Sequence, residues 1–192
     1  MFKILGSWSG MRKYLEKEML APSLQGRVRY GCTHYVGMDN CRIFEVFLDG
    51  RKAKRFSWET VNSYFIQQGL TGRPFGTREY WQDFWPLLER TPMPERSEYT
   101  DEEFCDALTL YRSQLISDSL LSENPLVRMF AILDHRVGKR TLEKLKETVD
   151  RQPPWLQPFY RLRLEAEQAR LCTAAAEPED GKQEGEIPCI PE

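Results

Sequence analysis

No stretch of this chain approaches the roughly 18 consecutive apolar residues that a bilayer-spanning helix needs, so no membrane partner is expected. Cysteine is sparse and irregular: Cys32, Cys41, Cys105, Cys172 and Cys189 are an odd number with no CxxC pair, which reads as reduced thiols. Only two histidines exist, His34 and His135, and neither lies in a motif that would orient a serine or cysteine nucleophile. The opening MFKILGSW carries one lysine and too few apolar residues for a secretory signal. No repeat recurs at a fixed period. These absences lead to the expectation of an intracellular, cytoplasmic protein with no cofactor.

Aromatic residues, by contrast, are plentiful. Five Trp, eight Tyr and ten Phe in 192 residues supply apolar area for one well-buried core, or for two small lobes sharing an interface. The net charge of -2 conceals a gradient. Residues 1–60 carry a balance of +5, whereas residues 173–192 carry -5, so an acidic end masks a mildly basic body.

Periodicity divides the chain. Trp8, Met11, Leu15 and Met19 recur at helical spacing before Ala21-Pro22. Arg27 to Val36 alternates as a strand, and Cys41–Leu48 and Arg51–Trp58 flank Asp49-Gly50, a hairpin signal because both residues tolerate positive φ. A two-residue loop would set Glu45 opposite Lys54 and Ile43 opposite Phe56. Ser57 can cap a helix that stops at Gly69, and Trp81, Phe84, Trp85 and Leu88 form a second stripe that Pro86 bends or ends. After the proline-containing TPMPER, helices follow throughout. Thr100 and Glu103 make a capping box, Asn124-Pro125 opens a helix to about His135 with Gly138 as its stop, and Lys139 to about Asp150 makes another. Pro153-Pro154 precedes the last, near Trp155–Cys172.

The expected architecture is α+β: an N-terminal helix, a small antiparallel sheet of about three strands, and a helical C-terminal half. Its parts are an α+β lobe at 1–90, a proline-rich connector at 91–96, a helical lobe at 97–172 and a disordered acidic tail at 173–192.

Arg136, Lys139 and Arg140 surround a glycine where one helix stops and the next starts. A cation suits the end of the first helix, but Lys139 and Arg140 would oppose the positive pole of the second by about 0.3–1 kcal/mol each. Two readings stand: an anion or acidic partner from outside, or an internal network with Asp134, Asp118 or Glu123. A helix-turn-helix is disfavoured by Glu143 and Glu147 on the presumed recognition helix. A phosphate loop fails because Leu133 stands where glycine is required and Arg140 where Ser or Thr should follow the lysine.

A second basic group, Arg27, Arg29, Arg51, Lys52, Lys54 and Arg55, is interleaved with Tyr30, Tyr35, Phe44 and Phe56 on the expected sheet. It reads either as a face for single-stranded nucleic acid or as a charged sheet edge. Cys32, His34, Cys41 and His135 match no zinc-finger spacing. Asp101, Glu102 and Glu103 sit at a helix start, where the dipole accounts for them. Tyr111, Arg112, Gln114 and Asp118 either face the basic turn or lie exposed.

The run from NPLVR through LDHRVGKRTL, with SLQGRVRY and the Asp-Gly hairpin, resembles a family of small, uncharacterised bacterial proteins marked by GRVRY near the start and LDxRxGKRxL in the helical half. The likeness spans most of residues 7–150, with His135 where arginine is expected. It implies a bacterial cytoplasmic origin and brings no activity, substrate or cofactor. The leading expectation is a non-enzymatic binding or adaptor protein whose basic turn at Arg136, Lys139 and Arg140 engages an acidic protein partner. A nucleic-acid-associated protein using the sheet face is the alternative. A phosphoryl or nucleotide hydrolase is third and would require a carboxylate cluster for metal beside the turn.

Overall fold

The computed structural model describes residues 7–35, 42–70 and 72–175. Ser7 Oγ accepts the Gly10 N–H at 3.2 Å and starts helix α1 (Trp8–Lys13), which widens directly into a π-helical segment at Tyr14–Met19. Met11, Leu15 and Met19 are buried, as their spacing requires. Pro22 opens a 3-10 turn, Pro22–Leu24, that leads into the sheet.

Strands β1 (Val28–His34), β2 (Arg42–Leu48) and β3 (Arg51–Phe56) pair antiparallel in that order. Asp49 and Gly50 both adopt positive φ, 47° and 77°, closing the two-residue hairpin turn between Leu48 and Arg51. The register further along corrects the sequence reading. A bulge between Val46 and Phe47 sets Glu45 opposite Arg55 and Phe44 opposite Phe56, in place of the expected Glu45–Lys54 and Ile43–Phe56 pairs. Because successive side chains alternate faces, this shift turns Lys54 inward, opposite Val46. Val28, Tyr30, Phe44, Val46, Leu48 and Phe56 are buried on that same side.

Ser57 caps α2 (Trp58–Gln67) through the Thr60 N–H, and Thr77 caps α3 (Arg78–Arg90), which continues through Pro86 to Arg90. The 91–96 connector contains a 3-10 turn, Met93–Glu95. In α4 (Asp101–Ser113) the capping box forms in full, with Thr100 Oγ1 accepting from the Glu103 N–H and Glu103 Oε2 from the Thr100 N–H. Phe104 on α4 stacks on Phe44 and tilts against Phe56, each ring 4.8 Å away, and meets Phe130 edge-on at 5.2 Å. One apolar cluster therefore takes in the first helix, the sheet and the helices after Thr100. Helices α2 and α3 enclose a separate one around Val61, Phe65, Leu70, Tyr80 and Phe84. The clusters do not part at the connector.

After α5 (Ile116–Leu120), Asn124 Oδ1 accepts the Leu126 N–H and Pro125 begins α6 (Pro125–Leu133), whose nine residues include eight buried ones. Helix α6 ends at Leu133 rather than His135. Gly138 does not stop it: Gly138 is the N-cap of α7 (Lys139–Lys146), which a 3-10 turn, Val149–Arg151, follows. Helix α8 (Gln157–Ala175) closes the described chain. The expected acidic tail lies outside the described residues from 176 onward.

Candidate functional site

Asp134 organises the turn between α6 and α7. At the end of α6 its backbone becomes extended and bridges Leu20, with the Ala21 N–H donating to Leu133 O and the His135 N–H to Met19 O, both at 2.9 Å. Its side chain is 1% exposed, and four donors satisfy it. The Arg136 N–H donates to Oδ1 at 2.7 Å; Arg136 Nε and Nη2 donate to Oδ2 at 2.9 and 2.6 Å; the Tyr111 hydroxyl donates to Oδ2 as well. Burial pushes the Asp134 carboxyl up, yet the hydrogen bonds from Arg136 and Tyr111 outweigh it and hold the carboxyl below its ordinary range. Burial and the adjacent carboxylate push the Tyr111 phenol well up.

The turn is tethered from the other side by Arg163 of α8, which is itself buried. Arg163 Nη2 donates to Val137 O at 3.2 Å, and Nη1 donates to Ser23 Oγ at 2.7 Å and to Glu167. Burial lowers the affinity of this guanidinium for its proton, and Glu167 opposes that shift.

The three cations of the turn therefore separate. Arg136 belongs to an internal network, with Asp134 as partner. Asp118 and Glu123 have no ion pair among the described residues; Asp118 Oδ1 accepts from the Ser117 hydroxyl. Lys139 and Arg140 are exposed, and among the described residues neither side chain has a hydrogen-bond or ion-pair partner. They stand on the first turn of α7, whose Gly138 cap offers no side chain. Tyr111 faces the turn, whereas Arg112 lies over the Tyr14 ring with its guanidinium carbon 4.7 Å from the centroid.

The second basic group is dispersed. Lys54 is buried on the inner side of the sheet, donating to Ser97 O at 2.5 Å and paired with Glu98 at 2.8 Å. Arg27 is held by Asp49 and Glu165. Register places Arg29, Lys52 and Arg55 on the outer side with Glu45 and Phe47. Lys52 pairs with Glu45 at 2.5 Å and Arg55 with Glu59 at 2.7 Å, while Arg29 lies 6.0 Å from the Phe47 ring. Arg51 is an exposed residue opposite Leu48.

No three His, Cys, Asp or Glu side chains among the described residues converge as metal ligands would. Of the zinc candidates, Cys41 lies outside those residues, and His135 Nδ1 sits 3.1 Å from Met19 O. No helix among the described residues is long and apolar enough to cross a membrane.

The model of the SF0329 protein family matches residues 7–164. The chain belongs to that family. The match encloses both the hairpin and the Asp134 turn, so Asp134, Arg136, Tyr111 and Arg163 lie within the SF0329 part of the chain. No curated protein and no solved structure matches it.

This SF0329 chain also holds a cleft that periodicity does not reveal. A volume of about 390 Å³ opens between the end of the sheet and α2, with Tyr35, Ile43, Trp58 and Phe75 as its apolar walls. Arg42, Arg55, Glu59 and Asn62 supply its polar rim. Tyr35 and Phe75 are 53% and 54% exposed, unusual for large rings on a small protein. Phe75 lies between Gly72 and Gly76, both at positive φ, and that glycine-flanked aromatic is the one local signal for the cleft.

Proposed function

We propose that this protein is a non-enzymatic binding or adaptor protein of the bacterial cytoplasm, and that Lys139 and Arg140 receive an acidic group from a protein partner. One observation carries the reading. The only carboxylate paired with the turn's cations among the described residues is consumed by Arg136, which leaves Lys139 and Arg140 exposed, unpaired and set against the helix dipole. An incoming carboxylate would meet two cations and the open N–H groups of α7 together. Asp134, Tyr111 and Arg163 brace the turn beneath them, so the ordering required on binding falls on the two side chains themselves. The nucleic-acid reading draws less support, since Lys54 is buried and Arg27, Lys52 and Arg55 each have a carboxylate partner.

The test compares the wild-type protein with Lys139→Ala/Arg140→Ala for binding of a labelled acidic peptide and of a single-stranded DNA oligomer across a salt series. Arg136 is left intact because its removal would disturb the turn. Loss of peptide binding in a folded double variant supports the proposal. Equal peptide binding by both proteins overturns it, and DNA binding that weakens steeply and log-linearly with salt would favour the alternative.

A further inference from the structure

We infer that the cleft between the end of the 91–96 connector and the Pro153-Pro154 break is a second binding site, built for the phosphate group of a small organic phosphate monoester. It encloses about 430 Å³, within the range of small-molecule sites, and takes its lining from three separate parts of the chain: residues 94–97, Arg128 of α6 and residues 151–155.

Three guanidinium groups line it. Arg128 Nε donates to Gln152 Oε1 at 3.0 Å, and Nη1 donates to Glu123 O at 3.1 Å and to Ser122 O, so neutral acceptors alone lock this half-buried cation in place. Among the described residues no carboxylate pairs with it, and its Nη2 makes no hydrogen bond. Arg151 is exposed, and its side chain has no partner among the described residues. Arg96 is 4% exposed; its Nη2 donates to Glu103, while Nε and Nη1 have no acceptor among the described residues. Buried donors are nearly always satisfied, so this remainder points to an acceptor from outside the chain.

The nearby carboxylates do not cancel the three cations. Glu103 is matched to Arg96, and Glu95 is the one carboxylate on the lining, which leaves one positive charge in excess. Glu98 and Asp150, each next in sequence to a lining residue, are paired with Lys54 and Arg161. Glu123 meets Arg128 through its backbone oxygen. A phosphate monoester brings about two negative charges and three acceptor oxygens, which suits guanidinium forks better than the single charge of a carboxylate.

The other walls suit an organic substituent. Pro94, Pro153 and Pro154 have preset φ, and Trp155 meets Tyr99 edge-on at 5.5 Å and Phe159 edge-on at 6.2 Å. Apolar surface beside the guanidiniums gives such a substituent something to cover, which free phosphate would leave bare. The tethered Arg128 is already ordered before a ligand arrives.

The experiment is an HSQC titration of the full chain at constant ionic strength, reading the Trp155 indole N–H, which is identified by its absence in Trp155→Phe. Phenyl phosphate is the ligand, with inorganic phosphate and phenol as arms lacking the ring or the anion. A saturable shift with a Kd below about 1 mM is expected for phenyl phosphate, and both other arms should be weaker by about tenfold or more. Arg151→Gln, at an exposed position whose change should leave the melting temperature in place, is expected to weaken binding by about tenfold through loss of a charge-assisted hydrogen bond. Arg151→Lys should recover part of it, as a charge without the fork. Lys139→Ala/Arg140→Ala should leave the Trp155 shift unchanged, so this inference and the acidic-partner reading stand or fall separately. No saturable shift up to about 10 mM phenyl phosphate, an equal response to phenol, or equal binding by Arg151→Gln overturns the inference. Inorganic phosphate that binds as tightly as the ester overturns the assignment to a monoester.

Discussion

The Tyr111 hydroxyl donates to the buried carboxylate of Asp134, joining the C-terminal part of α4 to the turn after α6 across 23 positions of sequence. Arg136 then closes the unit, with Nη2 donating to the same phenol oxygen at 3.0 Å. A carboxylate without its donors at this depth would be strongly unfavourable, so the three groups stabilise the turn as a set.

Asp134→Ala is accordingly expected to lower stability by about 2–3 kcal/mol and Tyr111→Phe by about 1 kcal/mol, measured by urea unfolding at neutral pH. The double variant should cost less than the sum, because both remove the same hydrogen bond.

The same carboxylate governs acid sensitivity. Its folded value lies below the ordinary 3.8, so its contribution is fully present above that value and is lost as pH falls through the depressed one. Stability profiles from pH 5 to about pH 2 should be shallower for Asp134→Asn than for the wild type. Parallel profiles would mean that Asp134 binds its proton alike in the folded and unfolded chains.

Lys54 has the opposite balance. Burial lowers its pKa from 10.5, against the attraction of Glu98, so the unfolded chain holds the proton more tightly at alkaline pH. Stability linked to this group therefore rises with pH from the depressed folded value up to about 10.5. Lys54→Met/Glu98→Leu should remove that rise and change stability at pH 7 by about 1 kcal/mol or less, since apolar side chains can replace a buried ion pair at little cost. Glu98→Ala, which leaves the ammonium stranded, should destabilise clearly.

Lys54 also marks the limit of what the sequence discloses. Ser57, Thr100 with Glu103, and Asn124-Pro125 act within three or four residues, so their caps were legible as local chemistry, and the Asp-Gly turn was legible for the same reason. The bulge at Val46/Phe47 has no such local mark. One extra residue there decided which side of the sheet Lys54 occupies and took it out of the basic face read from composition. In the candidate site, Arg136 and Asp134 are two positions apart and their pairing was within reach, whereas Tyr111 and Arg163 come from elements that only the packing brings together. The aromatic cleft is likewise a product of packing between the sheet end and α2.

Phe104→Ala is expected to be among the most destabilising single substitutions in the core, at about 3–5 kcal/mol, because its ring touches Phe44, Phe56 and Phe130 at once. Cooperative loss of both sheet and helix signals in thermal unfolding would follow from that shared position. A change limited to the helical signal would show that the two halves unfold separately.

Lys139→Glu/Arg140→Glu separates function from stability most directly. Each reversal removes a cation from the positive end of α7 and supplies a carboxylate that the dipole favours, worth about 0.3–1 kcal/mol per site for the favourable part alone. The variant should melt higher, by about 2–4 °C for each kcal/mol gained, while losing the acidic peptide. A protein that becomes more stable as it loses its ligand has kept those cations at a cost to its fold, the pattern expected where a binding site overrides local preference. If the melting temperature falls instead, the cations are neutralised within the molecule and the turn is structural throughout.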